Sequence, residues 1–218
     1  MSDPFTFDAL MHLFRARFAH LPDHRTGKNC TYTISDALLG AFAVFFTQSP
    51  SFLAAQQAMQ RARGQSNAQT LFGMTAIPCD NQIRNLLDPI PPSLLFPLFT
   101  TITEQLEHDG VLKPFRSFAG NLLIALDGTQ YFSSQAISCA NCSTTTSAKG
   151  TTTSSHRVIT PVLVAPGQHE VVPLDPAFIL PPDGTAKQDC ELAAAKRWLQ
   201  AHGAHSSAKN VTILGDDL

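Results

Sequence analysis

Two aspartates and a cysteine pair are the residues of this 218-residue chain best placed to do chemistry. Asp127 ends the continuous apolar run Asn121 to Leu126, and Asp216 follows Val211 to Leu214 with Gly215 between. An acid at the end of a buried strand is held by a rigid element while its oxygens emerge at the sheet edge, where α/β sheets place their ligands. If the two strands are neighbours, the carboxylates can share a hard divalent cation, and Mg²⁺ suits such oxygen donors. A pair of ions so held activates a water or a 3′-hydroxyl and stabilises the leaving oxygen of a displacement at phosphorus. The plainer account stays open: Asp-Gly after a strand is a common turn former, and Asp216-Asp217 would serve as a solvated turn.

Cys139-x-x-Cys142 with His156 has the ligand types and spacing of a zinc knuckle with three donors. His169 and Cys190 are the candidates for a fourth. A redox pair would want a thioredoxin-like βαβ setting, which is missing. Two thiols in a loop are the simpler account. Lys187, Lys196 and Arg197 could contact phosphates, although solvated helix surface explains each of them. His156 and Arg157 open a strand near a Ser/Thr-rich stretch and could face a substrate. Trp198 reads as core packing.

The elements that must position these residues divide the chain at about residue 118. Before it the pattern is helical. Phe7, Leu10, Met11, Phe14 and Phe18 fall at helical spacing, and Pro22 ends that run. Ser35 can cap a second helix ending before Pro50, and Ser51 a third over Phe52 to Arg63, closed by Gly64. Asp80 can cap Asn81 to Leu87, and Ser93 to His108 makes a longer helix ending at Gly110, with Pro97 in its first turns. Such short helices could house a helix-turn-helix, but plain helical packing is the simpler reading. After it the order reads strand (Asn121–Leu126), strand (Val158–Val164), strand (Glu170–Leu174), helix (Ala186–His202) and strand (Val211–Leu214). Pro161 inside the second run implies an edge position or a bulge. Ser143 to Ser155 reads as an extended loop or hairpin tip. The fold class is therefore α/β, with a helical region over 1–118 and a sheet-bearing region over 119–218.

Bulk composition sets outer limits. A chain that is 44% hydrophobic and 15% charged is globular. A net charge of −2 counts against a nucleic-acid role without excluding a local one. The longest apolar run, Ala37 to Phe46, is far short of the ~20 residues that span a bilayer. Asp3 and Asp8 replace the basic start of a secretory signal. Five scattered cysteines suit reduced thiols better than a disulfide framework, so a cytoplasmic protein is expected.

The stretch Leu122-Leu-Ile-Ala-Leu-Asp127-Gly-Thr-Gln-Tyr-Phe-Ser-Ser134, followed by Cys139-Ala-Asn-Cys142, resembles a group of bacterial insertion-sequence transposases. The likeness continues through His156, Lys187-Gln-Asp-Cys-Glu191, Ala195-Lys-Arg197 and the final Ile-Leu-Gly-Asp216-Asp-Leu218. More loosely, it takes in Ile77-Pro-Cys-Asp-Asn-Gln-Ile-Arg84 with Leu87-Asp88. The resemblance implies a DDE transposase: an RNase H-like mixed sheet with helix that cuts and joins DNA, both transposon ends and target, with Mg²⁺ or Mn²⁺. In that fold the first and fourth strands are adjacent, which would bring Asp127 and Asp216 together as catalytic, metal-binding acids, with Asp217 in reserve. The implied location is the cytoplasm of a bacterium, at the nucleoid. Self-association of the full-length protein is left open.

One departure stands out. The family's third acid, a glutamate on a helix well after the second aspartate, has no counterpart, because Glu170 and Glu191 both precede Asp216. The fifth strand and closing helix would be missing too. A truncated fragment, inactive alone, is the expectation. Two rivals remain. Ile124-Ala-Leu-Asp127-Gly-Thr resembles the signature of haloacid-dehalogenase-type phosphatases, but the nucleophilic aspartate two residues earlier is Ala125, which cannot be phosphorylated. The other rival is a non-catalytic, zinc-linked DNA-binding or interaction remnant.

Overall fold

Residues 5–27, 30–62, 67–117, 119–181, 190–208 and 210–215 are described by a computed structural model. They form a mixed α/β protein of two compact units, Met1–Leu98 and Phe99–Leu218.

The first unit is helical. Helix α1 (Phe7–Phe18) starts at Thr6, whose side chain accepts from the Ala9 amide. Helix α2 (Ile34–Phe46) is capped by Thr33, not by the expected Ser35, which lies inside the first turn. Thr33 wins because Asp36 stands three residues on. The threonine hydroxyl takes the Asp36 amide while the Asp36 carboxylate takes the Thr33 amide, a reciprocal capping box. The same carboxylate, only 2% exposed, also accepts from the amide and hydroxyl of Thr75 and from the Ala76 amide. Asp36 thus ties the segment before α5 to the start of α2.

Helix α3 (Phe52–Arg61) is capped by Ser51 as expected. It ends at Arg61 with Ala62 as its C-cap, short of the expected Arg63; Arg63 and Gly64 themselves lie outside the described residues. A short α4 (Asn67–Phe72) was not legible in the pattern. Helix α5 (Asp80–Leu87) begins one residue early, so Cys79, with no side-chain cap bond, stands where Asp80 was expected. Met11, Phe18, Leu39, Val44, Met59 and Phe72 form the core, and the rings of Phe7, Phe14, Phe42 and Phe46 pack around Phe72 and one another.

The expected helix from Ser93 divides into a 3₁₀ turn (Pro92–Leu95) and α6 (Phe96–His108), ended by Gly110 at φ +74°. The second unit then builds two sheets. In the first, β1 (Leu122–Leu126) is central, flanked by β5 (Val162–Val164) antiparallel and β8 (Val211–Gly215) parallel, with β6 (Val172–Pro173) beyond β5. In the second, β4 (Thr152–Ile159) pairs with β2 (Gly128–Ser134) on one side, and on the other with β3 (Ser143–Thr146) and then β7 (Ala177–Ile179).

The run Val158–Val164, expected as one strand, is therefore two. Pro161, which is buried, sits at the break rather than on an edge or in a bulge. With no N–H to give a ladder, it marks the place where the chain passes from one sheet to the other. The Ser/Thr stretch is a hairpin of β3 and β4, as β-branched threonine favours. Helix α7 (Glu191–Ala208) runs through Gly203 rather than ending there, and the expected start at 186–189 lies outside the described residues. Trp198 is core, as expected: it packs with Leu122, Ile124 and Leu163, and its indole N–H donates to the Asp175 carbonyl at 2.9 Å. No helix among the described residues is long and apolar enough to cross a membrane.

Candidate functional site

Parallel pairing of β1 with β8 is continuous from Leu122–Val211 to Leu126–Gly215. Asp127 is the residue after Leu126, and its side chain is exposed at that end of the sheet. Asp216 and Asp217 follow Gly215 and lie outside the described residues. Asp127 is also the joint between the two sheets, since its carbonyl accepts from the Thr160 amide, at 3.0 Å, where the return strand crosses back. An exposed carboxylate on a rigid strand end fits a hard cation as far as its own oxygens go. Ala125, two residues earlier, lies within β1 opposite Val162 and Leu214.

A neighbour that sequence reasoning did not place here is Glu191, in the first turn of α7. A Cβ added at Gly128 would stand 2.6 Å from the Glu191 Oε1 atom. Gly128 is thus no turn residue: it opens β2 in extended backbone, and its missing side chain leaves room for the Glu191 carboxylate. The signal was the Asp-Gly pair itself, for which a turn is the commoner cause. Glu170 is exposed on the connection before β6.

The sulfur–imidazole triad assembles on the second sheet. Cys139 and Cys142 share a tight turn, in which the Cys142 amide donates to the Cys139 carbonyl and the Cys139 amide points at the Cys142 sulfur, 3.2 Å away. Their Sγ atoms are 3.7 Å apart, and His156 Nε2, carried by β4, lies 3.3 Å from each. Among the described residues these three are the group of histidine, cysteine and acidic side chains close enough to hold a metal ion. The simpler expectation of two loop thiols leaves out the histidine that the hairpin delivers. His169 and Cys190, both exposed, do not join them. Tyr131, at an irregularity in the β2–β4 register, stacks on the His156 ring at 5.7 Å and 15°. Partial desolvation of its ring raises the Tyr131 phenol above its ordinary value, and the two cysteines add to the effect.

One face of this sheet is an open groove of roughly 490 Å³ lined by Gln130, Ser133, Thr145, Thr153, Ser155 and Arg157, among others. The whole stretch from Gly128 to His169 contains no aspartate or glutamate, and it carries Lys149 and Arg157. Of the other expected phosphate contacts, Lys196 is exposed, Arg197 donates to the Phe178 carbonyl, and Lys187 lies outside the described residues. Comparisons with protein-family models, with curated proteins and with solved structures return no match for this chain.

Proposed function

We propose that this chain carries the aspartate edge of a bacterial insertion-sequence DNA transposase of the DDE, RNase H-like class, which cleaves and joins phosphodiesters with Mg²⁺ or Mn²⁺. The observation that carries the reading is the parallel register of β1 and β8, which sets Leu126 opposite Gly215, each followed in sequence by an aspartate. Two further features support it. The central strand has an antiparallel neighbour on one side and a parallel one on the other, as a mixed sheet of that class requires. The acid-free stretch with Arg157 gives a polyanion a surface without repulsion, despite a net charge of −2 for the chain.

In this reading Asp127 and Asp216 hold the cation, and the rigid strand fixes where Asp127 presents its oxygens. A cation of this kind supplies Lewis-acid stabilisation of the oxygens around phosphorus. The partner is DNA, at transposon ends and target. The rival reading, a non-catalytic metal-linked nucleic-acid-binding remnant, draws on the Cys139–Cys142–His156 triad, whose donors suit Zn²⁺.

Paramagnetic Mn²⁺ tests the aspartate edge directly. Titrated into the isotope-labelled chain, it should broaden the amide signals of Gly128 and Gly215 first, and Asp127→Asn should abolish that selectivity. Broadening that spares this edge, or that is equal in the variant, overturns the reading.

A further inference from the structure

We infer that Cys139, Cys142 and His156 bind one zinc ion, and that this ion is the staple of the β2–β3–β4 sheet. The proposal goes beyond the carboxylate chemistry and does not depend on it.

Donor geometry comes first. Zinc bonds of about 2.3 Å to sulfur and about 2.0 Å to imidazole nitrogen, set at tetrahedral angles, put two sulfurs about 3.8 Å apart and sulfur about 3.5 Å from nitrogen. The observed separations are 3.7 Å between the sulfurs and 3.3 Å from each sulfur to Nε2. One face of a ligand tetrahedron is therefore already drawn, by two residues on a turn and a third on the neighbouring strand. The Cys139 amide directed at the Cys142 sulfur is the donor a metal-bound thiolate accepts. Soft sulfur with imidazole selects zinc over the hard cations that suit carboxylates.

The second, independent observation is what one end of this sheet lacks: its apolar cluster of Ile159, Ile179 and Ala194 lies at the far end of β4, away from the β3–β4 hairpin. Between Gly128 and His156 the buried residues are Cys142, Ser143, Ser154 and Ser155. Three hydroxyls and a thiol make no hydrophobic core. Strands β2 and β3 are largely exposed, and Tyr131 is 55% exposed. A hairpin end with no apolar layer of its own is marginal in water, and small cores are commonly made good by a structural metal. The triad sits where such a staple works, joining the β2–β3 connection to β4.

The test uses the full chain, purified under reducing conditions. Metal analysis should return one zinc per chain, and Cys142→Ser or His156→Ala should retain less than a tenth of it. Cys30→Ser, Cys79→Ser and Cys190→Ser should keep it. Because a triad variant could fail to fold, cobalt substitution of the unaltered chain gives a second measure. Bound Co²⁺ should show sulfur-to-metal charge-transfer absorption and the intense visible bands of four-coordinate cobalt. A metal-free chain with reduced thiols, a weak six-coordinate cobalt spectrum, or zinc lost as readily from the control cysteine variants would overturn the assignment.

Discussion

Gly128 lacks a side chain where the carboxylate of Glu191 stands: a Cβ there would lie 2.6 Å from Oε1. This contact joins the first residue of β2 to the first turn of α7, and it fixes the sign of a mutant cycle. Gly128→Ala alone forces the glutamate aside. Since the obstacle is the end of a flexible side chain, the cost should stay within about 1 kcal/mol. In a Glu191→Ala background the obstacle is gone, and Gly128→Ala should stabilise by about 0.4–1 kcal/mol through the unfolded chain. Denaturant unfolding of the four proteins measures the coupling. Additive effects would show that the two residues do not meet.

Asp127 offers a way to separate chemistry from folding. Its side chain is exposed, and the hydrogen bond that holds it at the sheet joint is accepted by its backbone carbonyl from the Thr160 amide. Asp127→Asn should therefore leave stability within about 0.5 kcal/mol, as for most surface changes. Mn²⁺ affinity should fall at least tenfold, as read by calorimetry. A large loss of stability with unchanged metal affinity would make Asp127 a structural residue.

Removing zinc should loosen one part of the molecule and spare another. The triad lies within the second sheet, while the first unit has its own core around Met11, Leu39 and Phe72. On adding a strong chelator, hydrogen exchange should accelerate over residues 143–146 and 152–156. Exchange in α1 and α2 should not change. A uniform acceleration, or none, would contradict a local staple.

Asp36 should govern how the helical unit responds to acid. Burial opposes its charge, but the bonds from the Thr33 amide and hydroxyl and the Thr75 amide and hydroxyl outweigh that, so its carboxyl is held below the ordinary carboxylate value. A depressed carboxyl contributes stability that is present above its unfolded value and lost as pH falls through the folded one. The contribution of Asp36 to the unit should thus fade as pH falls from the ordinary carboxylate range through its lower folded value. Asp36→Ala should cost about 1.5–3 kcal/mol at neutral pH and flatten the acid limb of the unfolding profile. An unchanged acid limb would move the sensitivity elsewhere.

Strong periodicity and abrupt strand ends were the most legible features of this sequence. The five apolar residues of α1 and the run before Asp127 each led to the element observed. Ser35 looked like a cap because serine suits the position. Thr33 holds it through the local capping box with Asp36, and the pattern did not show that the same carboxylate is also held by Thr75, 39 residues away. All three members of the triad were legible, Cys139-x-x-Cys142 as a motif and His156 as its third donor; what the pattern did not carry is that the β3–β4 hairpin brings the imidazole against both sulfurs. Glu191 beside Gly128 was not legible, since a glycine shows a missing side chain and not what fills the space.

The groove on the second sheet gives the nucleic-acid reading its most quantitative test. Its lining supplies amides and hydroxyls that can hydrogen-bond phosphate oxygens, with Arg157 as the cation among them. Among the described residues Arg157 makes no ion pair, and its own stretch of chain holds no acid to neutralise it. A guanidinium so placed contributes to binding through counterion release, which depends on salt and not on base sequence. Arg157→Ala should weaken binding of duplex and single-stranded oligonucleotides by a similar factor. It should also lower the slope of log affinity against log salt by about 1, the change expected for one lost phosphate contact. Lys149→Ala, on the exposed hairpin tip, should lower it less. Fluorescence anisotropy at several salt concentrations reads both numbers. An unchanged slope in Arg157→Ala would remove this face from the DNA path and leave the aspartate edge to be tested alone.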